Sequence, residues 1–156
     1  WVVRAESPIA AGSFVCEYTG AALLDSDAEA FGMARDDSYL FNLDGESTQV
    51  AKRRRITPHD RASAQAKTAD NPELCVDASR IGSVARFINH CCEPNLFVQA
   101  VFIEHSQRVH RIALFAAREI LPYEELTYDY GYIVGSVKDK TARCLCGAAT
   151  CRGYLF

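Results

Sequence analysis

Three cysteines near the end of the chain are spaced as metal ligands are. Cys144 and Cys146 are separated by one residue, and Cys151 follows five residues later. Thiolates this close in sequence can converge on one Zn²⁺, which takes four ligands in a tetrahedral structural site. The fourth ligand must come from elsewhere in the chain, and Cys92 is the candidate. Buried thiols in a reduced protein are the alternative explanation of the same spacing.

Polar and aromatic residues that could serve a ligand site fall in two other segments. Residues 86–95 read RFINHCCEPN, and residues 125–130 read ELTYDY. The adjacent Asn89 and His90 offer hydrogen-bond donors and acceptors that could orient a polar ligand. If the pair is considered alone, the simpler explanation is structural: Asn89 and His90 cap a turn, and their hydrogen bonds are satisfied inside the core.

The composition predicts one folded domain without a strong attraction to nucleic acid. The chain has 156 residues, of which 49% are hydrophobic and 24% charged, as in soluble globular proteins. A formal net charge of −3 disfavours a phosphate backbone as the main ligand, because that binding depends on cationic charge. A basic peptide is a better-matched partner.

Cysteine usage and hydropathy indicate the compartment. The seven cysteines are an odd number and do not form a complete disulfide framework, which suits a reducing cytosol or nucleus. No apolar run reaches the length of about 18 residues that spans a bilayer, and no secretory signal is apparent. We expect an intracellular protein without a membrane partner.

Short strand patterns separated by turns predict a β-rich fold, mostly β with short helices. Helical structure is expected as a short helix over residues 25–33 and a turn over 81–88. A polar stretch over about 45–72 predicts a long insertion at the surface. Strands are predicted over residues 1–4, 13–18, 38–44, 73–76, 96–104 and 109–117, the last two as a hairpin.

Together these segments resemble the SET domain of protein lysine methyltransferases. Its pattern Arg-Phe-Ile-Asn-His-Ser-Cys-x-Pro-Asn is matched over residues 86–95, with Cys91 in place of the usual Ser, and its Glu-Leu-x-x-Asp-Tyr pattern is matched over 125–130. The cysteine tail is similar to the post-SET motif. Further matches, such as the CEYTG at residues 16–20, look like the plant SUVH class of the SU(VAR)3-9 group.

The resemblance implies a fold of small sheets with a C-terminal pseudoknot and a zinc-binding tail. The pseudoknot forms when the ELTYDY segment threads the RFINHCCEPN segment, a rare exception to unthreaded chains. The SET domain is expected over residues 1–133 and the post-SET tail over 140–156. The tail would hold structural zinc through Cys92, Cys144, Cys146 and Cys151, with Cys91 left open as an alternative to Cys92.

The resemblance also implies roles for the site residues. S-adenosylmethionine would be bound by Trp1, Tyr39, Arg86, Asn89 and His90. Tyr130 would be the principal catalytic residue and Tyr18 a second tyrosine of the lysine channel. Tyr128 would act as a product switch, since its hydroxyl occupies the space that a third methyl group needs, and it predicts mono- and dimethylation.

The activity that follows is S-adenosylmethionine-dependent methylation of a histone lysine, with histone H3 lysine nine as the expected target. The partners would be the histone H3 tail or a similar basic peptide and chromatin, in the nucleus. DNA contact would come through N-terminal regions that this chain does not contain. Another histone or nonhistone lysine, or a catalytically silent SET module that binds chromatin, are the alternatives.

Overall fold

The computed structural model describes residues 1–24, 39–43, 74–103, 110–132, 134 and 141–156. Strands dominate this part of the chain, and its helical structure is a single 3-10 turn (Val84–Phe87). The β-rich class is therefore confirmed. The strands are β1 (Phe14–Tyr18), β2 (Ala21–Leu24), β3 (Leu40–Asn42), β4 (Leu74–Asp77), β5 (Asn89–His90), β6 (Leu96–Val101), β7 (Arg111–Ala116) and β8 (Thr127–Tyr128).

Most predicted strands appear close to their expected positions, but two regions differ. The strand expected over residues 1–4 is wrong, because only an isolated bridge from Arg4 to Glu125 forms there. The strand β2 was not expected, since its short apolar run lacks a clear alternation. The predicted helix over 25–33, the insertion over 45–72 and the loop of the 96–117 hairpin lie outside the described residues, wholly or in large part.

The chain divides into two compact units. The first unit comprises Trp1–Glu17, Phe87–Gln99 and Ala113–Phe156. It holds most of a three-stranded sheet in the order β1-β7-β6, together with the pair β5-β8. Because β7 is the central strand, its residues are buried in near-continuous succession. The core of this unit is made by Ile88, Leu96, Val98, Leu114, Ala116, Ile120 and Leu126.

The second unit comprises Tyr18–Arg86 and Ala100–Ile112. Its sheet has the order β2-β4-β3, with both neighbours antiparallel to β4. Gly20 precedes β2 where the backbone passes close to β4, and a Cβ at this position would lie 2.3 Å from the carbonyl oxygen of Asp77. Only glycine permits this approach, so the turn between β1 and β2 depends on it.

No helix in the described ranges has the length and the hydropathy that crossing a membrane requires.

Candidate active site and metal centre

Parallel pairing of two very short strands joins the two motifs of the first unit. In β5 and β8, Asn89 is in register with Thr127 and His90 with Tyr128. The ladder continues one step further, because the amide of Cys91 donates to the carbonyl of Tyr128 at 3.2 Å. This contact is what a pseudoknot built from these segments requires. We call residues 87–95 and 124–130 the knot segments.

Asn95 fixes the register of the knot segments. Its side chain is buried, with 2% of the residue exposed. Its amide oxygen accepts from the backbone amide of Thr127 at 2.8 Å, and its amide nitrogen donates to the carbonyl of Glu125 at 2.8 Å and to Oε1 of Glu124 at 3.0 Å. Because a buried amide must be satisfied, shifting the second segment by one residue would break all three bonds.

Glu124 is itself held in place by a cation. Both terminal nitrogens of the Arg118 guanidinium donate to its carboxylate, and the backbone amide of Leu121 donates to Oε2 at 3.0 Å. The Arg118 hydrogen bond lowers the pKa of Glu124 to about 2. The turn that Glu124 closes contains Tyr123 at φ 64°, a left-handed conformation that costs free energy for a non-glycine residue.

Asn89 is oriented by two acceptors that come from distant parts of the chain. Its amide nitrogen donates to Oε1 of Glu125 at 2.8 Å and to the carbonyl oxygen of Trp1 at 3.1 Å. The Trp1 ring lies 6.1 Å from the Phe87 ring and is 98% exposed. Two of the residues expected to bind the cofactor, Trp1 and Asn89, are therefore brought together.

His90 has a defined tautomer. Its Nδ1 accepts from the backbone amide of Tyr130 at 3.2 Å, so Nδ1 carries no proton. In the neutral ring Nε2 must then carry it, and Nε2 lies 3.4 Å from Sγ of Cys92, to which it donates. His90 thus connects the backbone of one predicted catalytic residue with a predicted metal ligand.

The Tyr130 hydroxyl is oriented by the main chain of the other knot segment. It donates to the carbonyl of Ile88 at 2.9 Å. Since its proton is used in this bond, the phenolic oxygen can interact with a further group only as an acceptor. The ring packs 4.8 Å from Tyr128, which is buried, and 5.4 Å from His90.

The remaining predicted site residues form a second cluster within the second unit. Tyr18 is buried, and its hydroxyl donates to the carbonyl oxygen of Tyr39 at 2.9 Å. The Arg86 guanidinium lies 4.6 Å above the centre of the Tyr39 ring and donates to the carbonyl of Ser79 at 2.9 Å. A cation over an aromatic face is attractive, so Arg86 and Tyr39 stabilise one another's positions.

The four predicted zinc ligands converge. The sulfur atoms of Cys92, Cys144, Cys146 and Cys151 all lie within 4.8 Å of one another. A tetrahedral site with Zn–S bonds of about 2.3 Å places its sulfurs about 3.8 Å apart, and the sulfurs of Cys92 and Cys144 are 3.8 Å apart. The cluster can therefore hold a zinc ion. We call residues 141–156 the zinc tail.

Backbone amides around the cluster favour thiolates at Cys92 and Cys146, whereas burial raises the pKa of Cys144 to about 12. The amide of Arg152 lies 3.4 Å from Sγ of Cys92, and that of Gly153 lies 3.4 Å from Sγ of Cys151. Hydrogen bonds from the backbone of Cys92 and Ala148 lower the pKa of Cys146 to about 6. Thiolates are the form that binds zinc. Cys91 instead donates to the carbonyl of Glu93 at 3.4 Å and does not belong to the cluster.

Several residues of this network were not singled out from the sequence. Asn95 and Glu125 lie inside the recognised motifs, so their motif positions were the available signal. Arg118 has no sequence signal, because its partner Glu124 becomes adjacent only through the turn at Tyr123. Arg152 directly follows the last cysteine, so its position beside the metal motif was the available signal.

Comparisons with known proteins agree with this geometry. The family model of the SET domain matches residues 1–131. The chain is 42% identical to the H3 lysine-9-specific histone-lysine N-methyltransferase SUVH4 of Arabidopsis thaliana, with 100% of this chain and 27% of that protein covered. It is also 39% identical to the histone-lysine N-methyltransferase EHMT1 of Mus musculus, with 97% of this chain and 10% of that protein covered.

Solved structures give the same result. A crystal structure of KRYPTONITE in complex with mCHG DNA and SAH superposes with a TM-score of 0.75 at 40% identity, covering 100% of this chain and 27% of that one. The structure of Arabidopsis thaliana SUVH6 in complex with SAM also gives a TM-score of 0.75, at 37% identity, covering 100% of this chain and 31% of that one. The chain therefore spans less than a third of these relatives, and it belongs to the SET domain family.

Proposed function

We propose that this chain transfers methyl groups from S-adenosylmethionine to a lysine side chain of a basic peptide. The observation that carries the proposal is the Tyr130 hydroxyl, which is held by the Ile88 carbonyl beside the paired Asn89-His90 segment. Chemically, the methyl group passes from a sulfonium to an amine in an in-line displacement. The protein must supply a neutral, aligned amine.

Tyr130 is suited to that task as an acceptor. A lysine ammonium has an ordinary pKa near 10.4, and it must lose a proton before its nitrogen can attack. Burial among aromatic rings lowers this pKa because it removes water from the charged form. The phenolic oxygen of Tyr130, whose own proton is donated to Ile88, can accept an N–H of the amine and align its lone pair.

Tyr128 is proposed to limit the product to mono- and dimethyl-lysine. It is buried and lies 4.8 Å from the Tyr130 ring. A hydroxyl at this position fills space and holds a polar partner next to the amine, which disfavours a third methyl group. In the second unit, Tyr18 is proposed to line the lysine channel.

We propose candidate contacts for the methyl donor in each unit, taken by itself. In the first unit the amide oxygen of Asn89 can accept from a ligand ammonium, since its amide nitrogen is used by Glu125 and Trp1. The exposed Trp1 ring offers an apolar cover. In the second unit the pair of Arg86 and Tyr39 offers a cation and an aromatic face. Zinc would have a structural role, fastening the zinc tail to Cys92.

The substrate is proposed to be the histone H3 tail at lysine nine, in the nucleus. SUVH4 is named as specific for H3 lysine 9, and one KRYPTONITE structure contains an H3(1-15) peptide and SAH together with methylated DNA. The net charge of −3 suits a cationic peptide.

A peptide-array methylation assay with mass spectrometry of the products tests the proposal. The zinc-loaded chain is expected to methylate an H3 peptide at lysine nine and to give mono- and dimethyl products, whereas Tyr130→Phe should lose most of the rate. Methylation of other lysines alone would replace the proposed target. A zinc-loaded chain that shows no affinity for S-adenosylmethionine by calorimetry would instead support a silent module.

A further inference from the structure

Arg152 contacts the metal cluster and the knot segments at the same time. It follows Cys151 in the zinc tail, and its backbone amide lies 3.4 Å from Sγ of Cys92. Its Nη2 donates to Oδ1 of Asp129 at 2.9 Å, and its Nη1 donates to the carbonyl of Tyr132 at 3.3 Å. The side chain thus reaches from the cysteines to both sides of Tyr130.

Asp129 transmits this contact to the backbone around Tyr130. The same Oδ1 atom also accepts from the backbone amide of Gly131 at 2.8 Å. Gly131 has φ 82°, a conformation that suits glycine. Asp129 therefore closes a tight turn in which Tyr130 is the middle residue, and Arg152 holds the carboxylate that closes it.

The Arg152 guanidinium also packs against His90. Nη2 lies 3.3 Å from Nε2 of His90. Because that nitrogen carries the proton donated to Cys92, the approach is a packing contact rather than a hydrogen bond. The side chains of Arg152 and Asp129 are 34% and 27% exposed, so their ion pair is screened less than one at the open surface.

We infer that Arg152 is a positioning residue that couples metal binding in the zinc tail to the placement of Tyr130 and His90. The inference rests on the proposed function for the identity of the methyl donor. Ordering the tail brings the guanidinium to Asp129, and the closed turn then fixes the Tyr130 backbone whose amide binds His90. A lysine cannot replace it, because a single ammonium lacks the two separated nitrogens that reach Asp129 and Tyr132.

Calorimetry with S-adenosylmethionine, zinc quantification and steady-state kinetics on the zinc-loaded chain test this role. Arg152→Ala and Arg152→Lys should each retain one zinc per chain and lose about tenfold in affinity for S-adenosylmethionine, a common size of coupling between two sites. Arg143→Ala is the matched control, since this exposed arginine of the zinc tail pairs through its backbone with Tyr154. It should behave as the unmodified chain.

Measuring S-adenosylmethionine affinity with and without a chelator distinguishes coupling between zinc and the methyl donor from a general loss of stability. Removing zinc should weaken S-adenosylmethionine binding to the unmodified chain by about tenfold, and should change binding to Arg152→Ala much less. Asp129→Asn, which keeps the oxygen for Gly131, should reproduce the Arg152→Ala effect, and the double variant should add little to it.

Three results would overturn the inference. Zinc-loaded Arg152→Ala that binds S-adenosylmethionine as tightly as the unmodified chain would exclude the positioning role. Loss of zinc from Arg152→Ala and Arg152→Lys would assign Arg152 to the metal site alone. If the losses of affinity in Arg152→Ala and Asp129→Asn add up in the double variant, the two side chains act independently. Failure of the unmodified chain to bind S-adenosylmethionine would instead contradict the proposed function.

Discussion

The knot segments and the zinc tail lie in the same unit, but they are held by different forces. The knot segments are joined by backbone pairing and by the buried amide of Asn95. The zinc tail has one isolated bridge, between Arg143 and Tyr154, and Leu145 within it is 89% exposed. A segment with so little buried apolar surface cannot offset its own ordering entropy. The knot is therefore a product of folding, whereas we expect the order of the tail to depend on a metal bound by its cysteines.

The largest expected effect comes from removing a metal ligand. Cys92→Ser should leave well below one zinc per chain, because structural zinc binding supplies about 10–16 kcal/mol in small zinc domains and needs all four ligands. Hydrogen exchange read by mass spectrometry should show lost protection over residues 141–156 and retained protection over β5 and β8.

Cys91→Ser is the matched control for that change. Its sulfur donates to the Glu93 carbonyl and contacts Cys146 from outside the group of four convergent cysteines, so zinc content should stay at one per chain. The opposite pattern, with zinc lost from Cys91→Ser and kept in Cys92→Ser, would exchange the two cysteines in the metal assignment.

The second-largest effect is expected from Asn95→Ala, which should weaken the pairing of the knot segments and leave the zinc tail unchanged. Asn95→Ala leaves the part-buried amide of Thr127 and the part-buried carbonyl of Glu125 without their partner, and each unsatisfied group costs about 1–3 kcal/mol. Urea denaturation should show a loss of about 2–4 kcal/mol in the free energy of unfolding. A loss below about 0.5 kcal/mol, the size of an ordinary surface change, would show that backbone pairing alone holds the knot.

A smaller effect should appear as a pH dependence. The pKa of Glu124 is lowered to about 2, chiefly by Arg118, so its ion pair stabilises the fold above the unfolded pKa near 4.3. That stability should be lost as the pH falls from about 5 towards 2. Since 26% of the Glu124 side chain is exposed, screening limits the effect to about 1 kcal/mol.

Glu124→Gln isolates this contribution. The variant should be less stable than the unmodified chain at pH 7, and the difference should shrink as the pH approaches 2. A difference that is the same at pH 7 and pH 2 would mean that the carboxylate charge is not what stabilises the turn.

The smallest effect on stability is expected for a substitution in β8 that changes the methylation product and leaves the packing of the strand intact. Tyr128→Phe removes one hydroxyl and keeps the ring beside Tyr130, so the free energy of unfolding should change by about 1 kcal/mol or less. Product mass spectra should shift towards trimethyl-lysine. Dominant trimethylation by the unmodified chain would contradict the role proposed for Tyr128.

Local patterns were sufficient for much of the fold and for the types of residue at the site. Alternation predicted β1, two strongly apolar runs predicted β6 and β7, and the cysteine spacing predicted a zinc centre, because all of these patterns depend on neighbours within a few residues. Local patterns failed at residues 1–4, where the chain forms a single bridge to Glu125 instead of a strand. That outcome depends on a partner more than a hundred residues away.

The sequence by itself determined the two motifs and the cysteine tail, and with them the residues proposed to carry the chemistry. Only the tertiary structure decided how they are held: Cys92 rather than Cys91 in the cluster, Trp1 and Glu125 on Asn89, and Arg152 on Asp129. Motif residues are specified by their types and spacing. Their supporting partners are fixed by chain crossings and side-chain directions, which no local pattern encodes.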